Sequence, residues 1–167
     1  KNPDIDAIIW TFKGHPSARA NPQMYGWVNT HDTSNHTIAT GVSVKKAISD
    51  QPENDHAIVG TFYFRKTHLF NQALARLKLK DIRVNGEFYV DSLMGELIDM
   101  DAKVAVFEVN AYIGWGTPDD YETFRYWQSY FHKCSDHPYK IENDGSVNPD
   151  AITGLTERFN CFRQEYK

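Results

Sequence analysis

A chain of 167 residues with 41% apolar and 24% charged residues has room for one domain with a real core. Its net charge of -4 excludes non-specific nucleic-acid binding, which needs a basic field to offset phosphates, and no apolar run approaches the length that spans a bilayer. Two cysteines, Cys134 and Cys161, are too few and too late for a disulfide framework, so a reducing, cytoplasmic compartment is expected.

The chain opens on Lys1 rather than methionine, carries no secretory signal there, and enters a strand almost at once. Processing, or origin as a piece of a longer protein, would each produce such a start. "AIIWTF" (7–12) is a β-branched and aromatic run that reads as an interior strand. "GHPSARANPQ" holds a glycine, two prolines and an asparagine, so it is a loop. "MYGWV" and "HTIATGVSV" read as two further strands, joined as a hairpin by the polar "NTHDTSN". After the loop "SDQPENDH" comes "AIVGTFYF" (57–64), the clearest strand.

Helical spacing follows. Leu69, Phe70, Ala73, Leu74 and Leu77 share one face at a period of 3.6. "NGEFYV" reads as extended, and Asp91 or Ser92 caps a helix whose stripe is Leu93, Met94, Leu97 and Ile98. "KVAVFEV" (103–109) is another strand. Thr117 then caps a helix with Pro118 at its first position, lined by Tyr121, Phe124, Trp127 and Phe131. Residues 134–167 are polar and turn-rich and end in a short helix with Leu155, Phe159 and Phe162, so the domain is placed at 1–133. The alternation of strands and helices predicts α/β layers around a mixed sheet.

No self-contained catalytic motif is present. The chain has no P-loop, no G-x-G-x-x-G and no G-x-S-x-G elbow; its one G-x-G is Gly114-Trp115-Gly116. "HKCSDH" gathers His132, Cys134, Asp136 and His137, but a structural zinc site needs a second ligand pair, and solvated surface is the plainer reading. His56 precedes a strand as a site residue or as a loop histidine bonded to backbone. Lys45 and Lys46 follow a strand whose alternation sends them to opposite faces, so at most one enters a cleft. Glu87 and Asp91 stand at a strand-to-helix junction, where carboxylates accept sugar hydroxyls or hold Mg²⁺; the structural alternatives are a surface residue and a helix cap. Asp99 and Asp101 in "DMD" read as solvated helix-end acids, and Asp119 and Asp120 as acids favouring a helix start.

Five pieces in order resemble the second half of sugar-1-phosphate nucleotidyltransferases: "MYGWV", "VSVKK", "HAIVGTFYF", "NGEFYVDS" and "YIGWGTPDDY". The family carries Y-G-V-V, E-K-P, V-T-G-x-Y-x-F, G-E-x-x-x-T-D and W-x-D-x-G-T-P-x-D-Y at these places. The likeness covers residues 5 to 133 and extends to nucleotidyltransferase-like proteins of bacterial capsule and surface-polysaccharide loci. It implies an α/β fold, a Rossmann-like (GT-A-like) sandwich with a mixed sheet, of which this chain is the second half only. It also implies the reaction: a sugar phosphate attacks the α-phosphate of a nucleoside triphosphate, with Mg²⁺ assisting, and pyrophosphate leaves.

Residue by residue, the resemblance makes Lys46 the catalytic lysine on the sugar phosphate. Gly26 lets backbone approach the sugar, Gly60 and Thr61 line its pocket, and Glu87 accepts from its hydroxyls. Asp91 falls where the family has threonine. Lys45 and Ala47 replace the Glu and Pro of E-K-P, and Gly114 replaces the usual metal-binding Asp. The implied partners are a sugar phosphate, a nucleoside triphosphate and the missing N-terminal half, with an exposed sheet edge inviting a second copy. Without that half the chain alone is expected to be inactive. The alternatives are a non-catalytic binding or regulatory domain of the same fold, or a related glycosyltransferase.

Overall fold

The computed structural model describes residues 4–134, 136–138, 140, 143 and 145. The chain divides into two compact units, Lys1–Tyr112 and Ile113–Lys167. The terminal helix read around Leu155 lies outside the described residues.

The first unit begins with β1 (Ala7–Phe12), then a short helix α1 (Pro16–Ala20), β2 (Gly26–Asp32), β3 (Thr37–Val44) and β4 (His56–Phe64). Two helices, α2 (Thr67–Leu79) and α3 (Val90–Ile98), precede β5 (Val104–Glu108). The sheet is mixed, as expected: β1 runs parallel to β5 and every other pairing is antiparallel. Its edges differ from those of an open Rossmann-like sandwich. The order is β1-β4-β2-β3-β5, and β5 pairs with both β3 (Ile38↔Ala105) and β1 (Ala7↔Val104), so the sheet closes on itself.

Strand alternation divides the buried side chains between two clusters. Ala7, Ile9, Val28, Ile58 and Val104 join Ala73 and Leu77 of α2 and Leu93, Met94 and Leu97 of α3. Phe12, Trp27 and Ala57 turn the other way, to Ala18, Tyr25 and Tyr112. Burial on both faces is why β1 and the start of β4 read as unbroken apolar runs. Each fully buried leucine stabilises the fold by about 1.5–3 kcal/mol. Trp27 is fully buried because its indole N–H has a partner, the Pro22 carbonyl at 3.0 Å.

Three local departures matter for the site. In β4, Ile9 faces Phe62 while Thr11 faces Ile58, so residues 59–61 bulge opposite Trp10, with Gly60 at φ 98°. "NGEFYV" is not a strand. Val84 and Glu87 exchange backbone hydrogen bonds at 3.0 Å around Asn85 (φ 51°) and Gly86 (φ 82°), a tight turn demanding positive φ at both central residues. Finally, α3 starts at Val90 with no side-chain cap, so Asp91 lies inside its first turn and Ser92 one residue further in, rather than either at its cap.

Glu96 of α3 is 2% exposed, held by Arg76 Nε at 3.0 Å and Lys80 Nζ at 2.6 Å from α2. Asp99 lies 3.4 Å from the same Lys80 ammonium. In the second unit, α4 (Pro118–Lys133) begins as read. Asp120 N–H donates to Thr117 Oγ1 and Thr117 N–H to Asp120 Oδ2, both at 3.1 Å, with Pro118 at the first helical position. Among the described residues no helix is long and apolar enough to cross a membrane.

Candidate functional site

The first residue of β2, Gly26, pairs with the last of β3, Val44. The chain then turns at Lys45, whose φ of 58° lies in the left-handed region. Its N–H donates to the Tyr25 carbonyl at 3.0 Å and its Nζ to the Met24 carbonyl at 2.6 Å. Opposite stands the first turn of α3. The Asp91 carboxylate fills the space a side chain at Gly26 would need: a Cβ there would collide with Asp91 Oδ2 and lie 3.0 Å from Ile58 Cδ1. A glycine is required at this place by close approach, not by its φ.

Tyr89 and Glu87 complete the group. The Tyr89 hydroxyl donates to Glu87 Oε2 at 2.9 Å, and the Lys45 ammonium lies 5.4 Å from the Tyr89 ring centroid. Burial pushes the Asp91 carboxyl above its ordinary range, while a hydrogen bond with its own backbone and the charge of Lys45 pull it back. The bond to Glu87, with a smaller contribution from desolvation, raises the Tyr89 phenol.

The structure therefore brings Gly26 and Asp91 into contact, with Lys45 alongside and Glu87 linked through Tyr89. Gly60 and Thr61 sit exposed in the β4 bulge, just past the Ile58 that flanks Gly26. Lys46 is exposed, and its carbonyl accepts from Ser43 Oγ at 2.6 Å. The expected alternation of the two lysines does not apply, because β3 ends at Val44 and Lys45 is left-handed. Sequence reading passed over Tyr89; an aromatic residue between two carboxylates in "GEFYVD" was the available signal.

His56 lies within β4, not in a loop, and its bond is to a side chain. Its Nδ1 is 2.9 Å from Thr11 Oγ1 and 3.8 Å from Glu108 Oε2, which is itself 3.8 Å from Lys13 Nζ. Burial, and then Lys13, holds this imidazole below its ordinary value against the opposing pull of Glu108, Asp32 and Asp55.

As for Mg²⁺, Gly114 supplies no side-chain oxygen, and among the described residues no three His, Cys, Asp or Glu side chains gather to hold a metal ion.

No protein-family model matches the chain, and no curated protein matches it either. The mixed α/β fold is similar to that of a solved structure, the nucleoside-diphosphate-sugar pyrophosphorylase from Vibrio cholerae RC9, with a TM-score of 0.55 at 20% identity. The match covers 72% of this chain and 46% of that one, so this chain spans less than half the length of its structural neighbour. At that identity the likeness is one of fold.

Proposed function

We propose that this chain is the sugar-phosphate-binding half of a nucleotidyltransferase that makes a nucleotide-activated sugar, or a similar phosphorylated compound, from a nucleoside triphosphate. The observation that carries the reading is the junction of Gly26 and Asp91, with Lys45, Tyr89 and Glu87 beside it. The glycine at 26 lets the Asp91 carboxylate pack against the start of β2, which sets that acid at the junction. Asp91 and Glu87 are acceptors for hydroxyls, Gly60 and Thr61 lie nearby in the β4 bulge, and the turn after β3 supplies positive charge for a phosphate. Such a site positions the phosphate oxygen as nucleophile, and positioning is the larger part of phosphoryl-transfer catalysis.

The nucleoside triphosphate and a Mg²⁺ ion would be held by residues outside this chain. The whole protein would act in the cytoplasm and supply surface-polysaccharide synthesis. A non-catalytic binding role is the second reading, and Gly114 in the place of a metal-binding carboxylate favours it.

Calorimetric titration of the chain with sugar phosphates and with nucleoside triphosphates, with and without Mg²⁺, tests the proposal. Sugar phosphates are expected to bind and triphosphates not to. Tight triphosphate binding with no response to any sugar phosphate would overturn it.

A further inference from the structure

The turn after β3 carries two lysines, and their surroundings differ. Lys45 sits at φ 58°, a conformation that costs a residue with a Cβ about 1 kcal/mol or more. It is held there by its N–H bond to Tyr25 and by the Gly26↔Val44 pair just before it. From that backbone its ammonium reaches the Met24 carbonyl at 2.6 Å and the Tyr89 ring at 5.4 Å. Neither partner is an anion.

That distinguishes Lys45 from the lysines that serve the fold. Lys13 has Glu108 at 3.8 Å, and Lys80 has Glu96 at 2.6 Å and Asp99 at 3.4 Å. Among the described residues no carboxylate lies within ion-pair distance of Lys45, although Asp91 is near enough to feel its charge. An ammonium has three N–H donors, and Met24 takes one. A partly exposed cation in a strained turn, with Asp91 near but not paired to it and N–H donors left over, is placed to meet an anion that arrives from outside.

We propose that Lys45, rather than the exposed Lys46, anchors the phosphate of the bound sugar phosphate. The assignment rests on the sugar-phosphate reading above and narrows it to one residue. The left-handed turn is the device: it breaks strand alternation and sets the Lys45 ammonium over Tyr89, beside the acids that accept the sugar.

The test is a set of titrations with glucose 1-phosphate, glucose and inorganic phosphate on the unaltered chain and on Lys45→Gln, Lys45→Arg and Lys46→Gln, with a melting curve for each. The chain is expected to bind glucose 1-phosphate, and Lys45→Gln to weaken that binding about 10- to 100-fold, the loss of one charge-assisted bond. Lys45→Arg is expected to retain most of the affinity, and Lys46→Gln to change it by about 3-fold or less. Should Lys45→Gln unfold, Lys45→Asn, better suited to positive φ, gives the same readout. A loss confined to Lys46→Gln overturns the Lys45 assignment while the sugar-phosphate reading stands. An equal loss for glucose and glucose 1-phosphate in Lys45→Gln overturns it too. An unaltered chain that binds no sugar phosphate removes the reading and the assignment together.

Discussion

Replacing Gly26 with alanine tests whether the contact with Asp91 is structural fact or accident. Gly26 is not among the positive-φ glycines, so alanine is allowed by the backbone. A strand glycine changed to alanine with room to spare stabilises by about 0.5–1 kcal/mol. Here there is no room: the new Cβ meets Asp91 Oδ2, with Asp91 Cγ and Ile58 Cδ1 each at 3.0 Å. Overpacking of this kind costs about 1–3 kcal/mol. The net expectation is a destabilisation of about 1–2 kcal/mol, read from the midpoint of urea unfolding at constant slope. The Asp91 carboxylate relieves the clash only by leaving its place or by moving the first turn of α3, so sugar-phosphate binding falls as well. Asp91→Ala removes the obstacle. Gly26→Ala should therefore be tolerated in that background, with a coupling energy of about 1 kcal/mol or more between the two sites. A stabilised Gly26→Ala, or two effects that simply add, would refute the reasoning.

Other expectations follow from named groups. Glu96 is nearly enclosed, while Arg76 and Lys80 are each close to half exposed. Removing both cations should thus cost about 3–5 kcal/mol by stranding a buried carboxylate, whereas Glu96→Gln, whose cations can hydrate, should cost less; denaturant melts of the variants decide it. Burial and Lys13 keep His56 below its ordinary value of 6.5. The unfolded chain then takes up a proton near 6.5 that the folded chain refuses, so this contribution to stability is full above 6.5 and fades as pH falls; His56→Asn should flatten that slope. Asp91, raised above 3.8 by burial, has the opposite sign, since the fold prefers it protonated. Asp91→Asn should therefore raise the melting temperature at neutral pH, and the gain should shrink as pH approaches 3.8. Thr117→Ala removes one half of the α4 capping box and should lower stability by about 1 kcal/mol, read by circular dichroism melts.

Much of the fold was legible because its burial is periodic. The stripes of α2 and α3 predicted their inner faces, since Ala73, Leu77, Leu93, Met94 and Leu97 all end in one cluster. The runs of β1 and the start of β4 were legible because both faces are covered there. What escaped were features decided by single backbone conformations or by long-range pairing. Asn85-Gly86 is a hairpin-turn dipeptide, yet it sits in an apolar run and read as extended. The closing of the sheet depends on β5 meeting β3, a pairing that no local pattern announces. The buried Glu96 looked like any surface acid until α2 brought Arg76 and Lys80 against it.

The candidate site divides the same way. Gly26, Glu87 and Asp91 were marked by motif order, and the contact between Gly26 and Asp91 explains why a glycine stands there. Lys46 was preferred because the motif order set it on the family's lysine and Lys45 where the family has glutamate; strand alternation, carried past the end of β3, left either lysine open. A positive φ at a lysine is invisible to a pattern built on composition and period.

The most direct measurement is the amide spectrum of the isotopically labelled chain during titration with glucose 1-phosphate. Saturable shifts are expected, concentrated at Gly26, Lys45, Tyr89 and Asp91, with the β4 bulge at Gly60 and Thr61 responding next. Shifts centred elsewhere, or none at millimolar ligand, would contradict the claim that this junction binds a sugar phosphate.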